Sequence, residues 1–214
     1  MFFKEQGMKS EFFTRPKLVF GLAVMLFSSV VLAGTDDLDP TWVRSGTDFS
    51  KYTKLLIKPL NLSNVTILRP PWAQDDPIEW TLETIALDAI QDIFHEAMKD
   101  VLEADGGYPL VDQPGEDVLE VDMELLSIMP YVRPGSDGTD DGHEIVTLGS
   151  GEVTGTAELR DSTSRALLLL IEGQRVAGEE YKQFTQENNI ANLRGMFTSF
   201  ANRLRVAMDK VHGK

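Results

Sequence analysis

Cysteine is absent from the 214 residues of this chain. The absence excludes disulfide bonds, so an exported form of the protein must be stabilised by its core alone. It also excludes a thiolate nucleophile and the thioether-linked lipid of a bacterial lipoprotein. Histidine is rare, and His95, His143 and His212 lie far apart in sequence. Since no Gly-x-Ser-x-Gly motif occurs either, a hydrolase would require a Ser-His-Asp triad assembled in space.

Positive charge is also scarce. The chain has 20 Lys and Arg against 34 Asp and Glu, a formal net charge of −14. The residues after Ala33 carry 16 of these basic and 32 of these acidic side chains. Such a surface repels a phosphate backbone, so we expect no nucleic-acid partner.

Long hydrophobic runs are missing as well. The uncharged run Leu18–Ala33 has 16 residues, whereas a membrane-spanning helix needs about 20. Basic residues precede the run, and small side chains close it at Leu32-Ala33-Gly34-Thr35, the layout of a secretory signal. Residues 1–33 are therefore predicted to be a signal peptide, starting at Met1 or Met8. An uncleaved anchor is the alternative.

The four residues Leu32-Ala33-Gly34-Thr35 also have the pattern of a lipoprotein signal, with Thr35 where the lipidated cysteine would stand. We therefore expect the protein in the periplasm or cell envelope of a Gram-negative bacterium, without a lipid anchor.

Residues 34–50 are polar and lack periodicity, which predicts a flexible tether. Residues 51–214 are long enough for a single domain with a sizeable core. The segment Tyr52–Leu62 is rich in apolar residues and predicts a first strand.

The segment Ile78–Ala104 has helical periodicity, with apolar residues three and four positions apart. Asp75 or Asp76 is placed to cap its start, and Gly106-Gly107 ends it. The apolar stripe comprises Leu82, Ile85, Ala86, Ala89, Ile93, Ala97 and Val101.

The clearest alternation in the chain runs from Leu119 to Leu125 and predicts a half-buried strand. Its polar residues, Glu120, Asp122 and Glu124, would share one face about 7 Å apart. Such carboxylates suit acid–base chemistry, but a solvated sheet face explains them equally well, and we favour the solvated face.

Two further strands are predicted, Glu152–Arg160 and Ala166–Val176, and the run Leu167–Ile171 in the second is expected in the centre of a sheet. A last helix, Ile190–Val211, would be capped by Asn188 or Asn189. The order of elements predicts an α+β fold: a mostly antiparallel sheet of about four to five strands with two helices packed on one face.

The loop Asp137–Gly142 partly matches an EF-hand calcium loop, but Thr139 and Leu148 stand where ligands are expected. A solvated loop is the better explanation. Adding His143 and Glu144 gives no spacing for three zinc ligands on a rigid element. We therefore predict no catalytic residue, no metal site and no cofactor.

The last helix reverses the charge of the chain, with Asp209 as its single acid from Ile190 onward. Cations near a helix C-terminus complement the helix dipole. The alternative is a docking face for an anionic partner, either lipid headgroups or the acidic body of a second copy. The basic residues are Arg194, Arg203, Arg205, Lys210 and Lys214.

Three stretches together resemble the exported bacterial proteins grouped as domain of unknown function 3313, over roughly Val43 to Val211. They are Asp48-Phe-Ser-Lys-Tyr-Thr-Lys-Leu-Leu-Ile, Tyr108-Pro-Leu-Val-Asp-Gln-Pro-Gly-Glu-Asp-Val-Leu and Gly151-Glu-Val-Thr-Gly-Thr-Ala-Glu-Leu-Arg-Asp-Ser. The resemblance implies an envelope location, often as a lipoprotein, and a function that is not settled. The matching positions are typical of turns and strand edges, so no catalytic residue carries over.

These observations predict an exported cell-envelope protein whose domain binds a partner or supports a structure without catalysing a reaction. Its partner would be an envelope protein or a second copy, with peripheral membrane contact through the last helix. The alternative is a hydrolase, which an apolar cleft with Ser or His beside a carboxylate would favour. Carriage of a small ligand between sheet and helices is a third hypothesis.

Overall fold

The structure is a computed structural model that describes residues 38–81 and 87–214. The predicted signal peptide and residues 34–37 lie outside the described residues. No helix in the described ranges is long and apolar enough to cross a membrane.

The described ranges contain three long strands and seven short ones. The strands are β1 (Trp42–Val43), β2 (Lys54–Ile57), β3 (Thr66–Ile67), β4 (Val118–Pro130), β5 (Thr139–Asp140), β6 (His143–Glu144), β7 (Val146–Leu148), β8 (Gly151–Asp161), β9 (Leu167–Val176) and β10 (Tyr181–Gln183). The helices are α1 (Leu87–Leu102) and α2 (Gln186–His212).

The main sheet has the strand order β1-β9-β8-β4-β2, and β3 pairs with β4 beyond the end of β2. Strands β4, β8, β9 and β1 are antiparallel, whereas β2 and β3 lie parallel to β4. The chain passes through α1 between β2 and β4, the kind of crossover that a parallel pair requires. The predicted α+β fold is confirmed, with a sheet that is mixed and mostly antiparallel.

The hydrophobic core lies between the sheet and the two helices. Phe94 of α1 and Phe197 of α2 meet edge to face, with ring centroids 5.2 Å apart. The residues predicted to point inward from the two alternating strands are buried, as expected for one covered sheet face. They are Leu119, Val121, Met123, Leu125, Val153, Ala157 and Leu159.

The starts of both helices differ from prediction. Residues 78–81 are not helical. The carboxylate of Asp76 accepts hydrogen bonds from the Ile78 N–H and from the Trp80 indole, so it closes a local turn instead of capping α1. Helix α2 begins earlier than expected, because Thr185 Oγ1 accepts from the Asn188 N–H at 3.1 Å and serves as its cap.

Residues 38–50, which were predicted as a tether, contribute to the described domain. Leu38 and Phe49 are buried, and β1 pairs with β9. The leucine run of β9 was expected in the centre of the sheet, but it lies next to the edge. Leu169 and Leu170 of this run pair with the short strand β1.

Glu120 was predicted on a solvated face and is buried, with 1% of its surface exposed. Arg165, from the turn between β8 and β9, forms an ion pair with one of its carboxylate oxygens, while Oε1 has no hydrogen-bond partner among the described residues. Leu56 of β2 lies beside Glu120 in register and is buried too. Asp122 and Glu124 remain partly exposed, as expected.

The three stretches that carry the family resemblance meet at the turn after β8. Lys51 Nζ and Tyr52 OH each lie 2.9 Å from Asp161 Oδ2, and Ser162 Oγ donates to the Gly115 carbonyl at 2.9 Å. The hydrogen bond from Lys51 contributes most to holding the pKa of Asp161 well below its usual range. These stretches therefore hold the segments before β2 and β4 against the end of β8 through hydrogen bonds.

Candidate binding groove

A cleft of about 580 Å³ lies between α2 and the parts of β8 and β9 nearest the start of α2. We call it the α2 groove. Its walls are the row Ala191, Gly195, Ser199 and Arg203 on the helix and the strand residues Ile171, Gly173 and Arg175 on β9. The helical row has a spacing of four residues, so its members lie on one face of α2.

Small side chains create the groove. Gly155 on β8 and Gly173 on β9 lie directly opposite each other, and Ala191 and Gly195 face them from the helix. At Gly155 the backbone of β4 approaches closely: a Cβ there would lie 2.5 Å from the Glu124 carbonyl oxygen. At Gly195 a Cβ would meet nothing within 4 Å, so the groove is open at that point.

The floor of the groove is apolar. Apolar residues of β4, β8 and β9 form one side of the floor, and Met196, Phe197 and Phe200 of α2 form the other. Such a surface favours a ligand with apolar groups of its own. Its apolar residues include Met123, Leu125, Val153, Ala157, Phe197 and Phe200.

The rim of the groove carries both signs of charge. Arg175, Lys182 and Arg203 line it together with Glu179 and Glu180. Lys182 Nζ lies 2.9 Å from the Glu180 carboxylate, and this contact lowers the pKa of Glu180. The mixed rim can orient a ligand through polar contacts at its edges.

Hydrogen bonds fix the start of α2 at one end of the groove. Ser150 Oγ donates to Asn189 Oδ1 at 2.7 Å, and Asn192 Nδ2 lies 2.9 Å from the same hydroxyl. Gly178 packs against Asn192 so closely that a Cβ would lie 2.5 Å from its side chain. The predicted cap Asn189 therefore ties α2 to Ser150, the residue just before β8.

The histidines lie away from the groove. His95 and His143 are exposed on α1 and β6, and no histidine is among the described residues that line the groove. His212 lies at the other end of α2, with Nδ1 3.3 Å from Tyr108 OH. Tyr108 OH donates to Asp209 at 2.9 Å, and burial together with that carboxylate raises the pKa of Tyr108.

The acidic loop forms turns and a small hairpin. Asp137 Oδ1 accepts from the Thr139 N–H at 2.9 Å and from its hydroxyl at 2.7 Å. Asp140 and His143 pair in register between β5 and β6, and both are exposed. The described part of the chain contains no group of three His, Cys, Asp or Glu side chains that could hold a metal ion.

Several cations of the last helix contact the protein itself. Arg194 pairs with Glu96 of α1. Arg205 Nε lies 2.9 Å from Asp209, and its Nη1 donates to the Ala104 carbonyl at 2.9 Å, just beyond the end of α1. Lys214 Nζ lies 4.7 Å from the centroid of the Tyr108 ring. Arg194 and Arg205 therefore connect the two helices.

The groove was not among the predicted sites. A signal for it exists in the sequence, namely the small residues Ala191, Gly195 and Ser199 along one face of a helix. That row alone does not identify a groove. The strand glycines that complete it, Gly155 and Gly173, come from other segments, and only the sheet register brings them together.

Several solved structures are similar to this chain at low identity. The PelC dodecamer from Paraburkholderia phytofirmans is 9% identical, with 77% of this chain and 97% of that chain covered and a TM-score of 0.40. A DUF330 protein from Xanthomonas campestris is 11% identical, covering 81% and 94%, with a TM-score of 0.39. A hypothetical protein from Chlamydia trachomatis is 11% identical, covering 76% and 99%, with a TM-score of 0.35.

No curated protein matches the chain. The model of a protein family of unknown function, DUF3313, matches residues 32–204, which is most of the sequence. The chain therefore belongs to the DUF3313 family.

Proposed function

We propose that this protein is an exported, non-enzymatic binding domain of the cell envelope, and that it takes a partly apolar ligand into the α2 groove. The groove is the observation that carries the proposal. Its volume of about 580 Å³ falls within the roughly 300–1,000 Å³ typical of ligand sites. Its apolar floor and charged rim combine a hydrophobic driving force with groups that orient a ligand.

The position of the groove also supports a binding role. It lies between α2 and the main sheet, with Phe197 packed in the core on one side and Val153 in the sheet on the other. Preformed walls lose little conformational entropy when a ligand binds. Ser199 and the carboxylates of Glu179 and Glu180 line the groove, but no described residue of its lining is a histidine that could act as the base. Binding therefore explains this lining better than Ser-His hydrolysis.

Replacing Gly195 with tryptophan is expected to fill the groove and weaken binding of the apolar dye 1-anilinonaphthalene-8-sulfonate. The new Cβ meets nothing within 4 Å, so the side chain enters open space without straining the helix. Titration of dye fluorescence should show affinity at least about tenfold weaker than in the wild-type protein, a loss of about 1.4 kcal/mol.

The matched control is Gly195→Ala, which changes the helix but adds only a methyl group to the groove. Alanine should stabilise α2 by about 1 kcal/mol while leaving dye affinity unchanged. Equal dye affinity in the tryptophan variant and the alanine variant would show that the dye binds elsewhere and would remove the main support for the proposed site.

Export is tested by the mass of the protein recovered from the periplasmic fraction of a Gram-negative host. We expect an intact mass that starts at Gly34, because the small residues Val31 and Ala33 precede that position as signal peptidase requires. A mass that retains the apolar run Leu18–Ala33 would instead support a membrane anchor.

A further inference from the structure

The edge of β9 is only partly covered. Thr41 N–H donates to the Leu170 carbonyl, Arg44 N–H donates to the Leu168 carbonyl, and Glu172 N–H donates to Thr41 Oγ1. Even-numbered residues of β9 therefore direct their backbone groups toward the edge, while odd-numbered residues face β8. By the same alternation, the N–H groups of Gln174 and Val176 point outward.

Beyond Glu172 nothing in the described ranges pairs with this edge as a strand. The five residues Glu172–Val176 are all exposed. Arg175 Nη1 donates to the Gln174 carbonyl at 2.9 Å, so a charged side chain shields one acceptor of the edge. Exposed strand edges with unpaired donors are templates for pairing with another chain.

The free edge runs along the α2 groove. Register with Val153, Gly155 and Ala157 of β8 places Arg175, Gly173 and Ile171 on the helix-facing side of β9, and all three line the groove. The edge residues Glu172–Val176 extend over about 13 Å. The helical row from Ala191 to Arg203 extends over about 18 Å, so the free edge follows most of the length of the helical wall.

We propose that an extended segment of a partner protein adds to the sheet as a strand beside Glu172–Val176 and places alternate side chains in the α2 groove. The inference rests on the proposed function and names the ligand class of the same groove. Strand β1 already occupies the neighbouring stretch of this edge in the same manner, with Trp42 opposite Leu170. Backbone hydrogen bonds would give affinity, and the groove would select the side chains.

The chemistry of the groove defines the segment. Side chains of an added strand that face the helix would contact the apolar floor formed by Phe197, Phe200 and Ala157. The rim carries Arg175, Lys182 and Arg203 against Glu179 and Glu180, an excess of one positive charge, so an acidic residue among these positions is favoured. On the opposite face the added strand would pass Glu172 and Gln174, which favours polar or basic residues there.

The test uses a fluorescein-labelled peptide with the sequence acetyl-Lys-Asp-Thr-Val-Thr-Leu-Thr-Asp-Lys-amide, measured by fluorescence anisotropy. Its Asp, Val and Leu residues share one face, and its Thr and Lys residues share the other. We expect saturable binding to the wild-type protein. We also expect slower hydrogen exchange at the Gln174 and Val176 amides when the peptide is bound.

The matched variants are Gln174→Pro and Gln174→Ala. Both remove the side-chain contact with Glu152, but only proline removes the outward N–H. Proline is tolerated on an edge strand, and unchanged thermal melting of both variants checks the fold. The proline variant should bind at least about tenfold more weakly than the alanine variant, and N-methylation of the peptide's edge-facing amides should have the same effect.

If the proline and alanine variants bind the peptide equally, and N-methylation of the peptide does not change its affinity, strand addition is overturned. The groove would still stand as a ligand site, because the dye titration of the Gly195 variants measures it separately. Absence of peptide binding would exclude a segment of this chemistry. If, without peptide, hydrogen exchange at the Gln174 and Val176 amides becomes slower as the protein concentration rises, the added strand would come from a second copy of this chain and the proposal of a partner protein would be overturned.

Discussion

Leu125→Asp is expected to unfold the domain. Leu125 lies in the middle of β4 with 3% of its surface exposed, under the two helices. The change loses about 1.5–3 kcal/mol of apolar burial. It also places a charge in an apolar core, which costs several kcal/mol more. Domains of this kind have a total stability of about 5–15 kcal/mol, so little or none would remain.

Circular dichroism and denaturant titration measure this effect, and the adjacent residue provides the control. Leu126 lies at the irregularity in β4 with 39% of its surface exposed, so Leu126→Asp should change the free energy of unfolding by less than about 0.5 kcal/mol. Ile93→Asp on α1 should resemble the Leu125 variant, since Ile93 belongs to the same core. Cooperative melting of both core variants would refute this packing.

Gly155→Ala is expected to destabilise the domain by about 1–3 kcal/mol, an unusually large cost for one added methyl group. Its Cβ would lie 2.5 Å from the Glu124 carbonyl oxygen and 3.2 Å from Leu125 Cδ2. The first neighbour is backbone in the centre of the sheet, so the two strands would have to separate. Denaturant midpoints at constant m-value give the loss of stability directly.

Gly173→Ala is the matched control, because Gly173 is the residue opposite Gly155 in the ladder. The atom nearest to its added methyl group would be Arg175 Nη1 at 3.3 Å, the end of a flexible side chain. We expect a change within about 1 kcal/mol and in the stabilising direction. A loss at position 173 equal to that at 155 would show that sheet propensity, and not the approach of β4, determines the effect.

The elements predicted best are those whose signal is local. Alternation from Leu119 to Leu125 depends only on which residues must leave water, and the structure buries its apolar members. The predicted stripe of α1 is confirmed only in part: Ile93 and Ala97 are buried, whereas Ala89 is exposed. Its other early members, Leu82, Ile85 and Ala86, lie outside the described residues. The start of α1 was wrong because Asp76, a good cap by residue type, is used by the Ile78 N–H and the Trp80 indole. The type of residue shows that a side chain is able to cap a helix, but it does not show which N–H groups that side chain binds in the folded protein.

The features that were missed depend on partners distant in sequence. Glu120 has the alternation of a solvated residue, yet Arg165 and Leu56 cover it from two other segments. Strand β1 is two residues long and has no periodicity to detect. The α2 groove is harder still to predict, since glycine and alanine residues on three separate elements, β8, β9 and α2, leave the space that forms it. Its recognition requires the register that places Gly155 opposite Gly173.

The mixed topology of the sheet has a consequence for the order of folding. Strands β4, β8 and β9 pair as neighbours, and only the short strands β5, β6 and β7 separate β4 from β8 along the chain. Lys51 and Asp161, whose contact holds the N-terminal segment against the sheet, are 110 residues apart. A ribosome produces β1, β2 and β3 before β4 and β9 exist. We therefore expect the first third of the chain to lack its sheet partners until β4 and β9 are made, and closure of its long loops to slow completion of the native sheet.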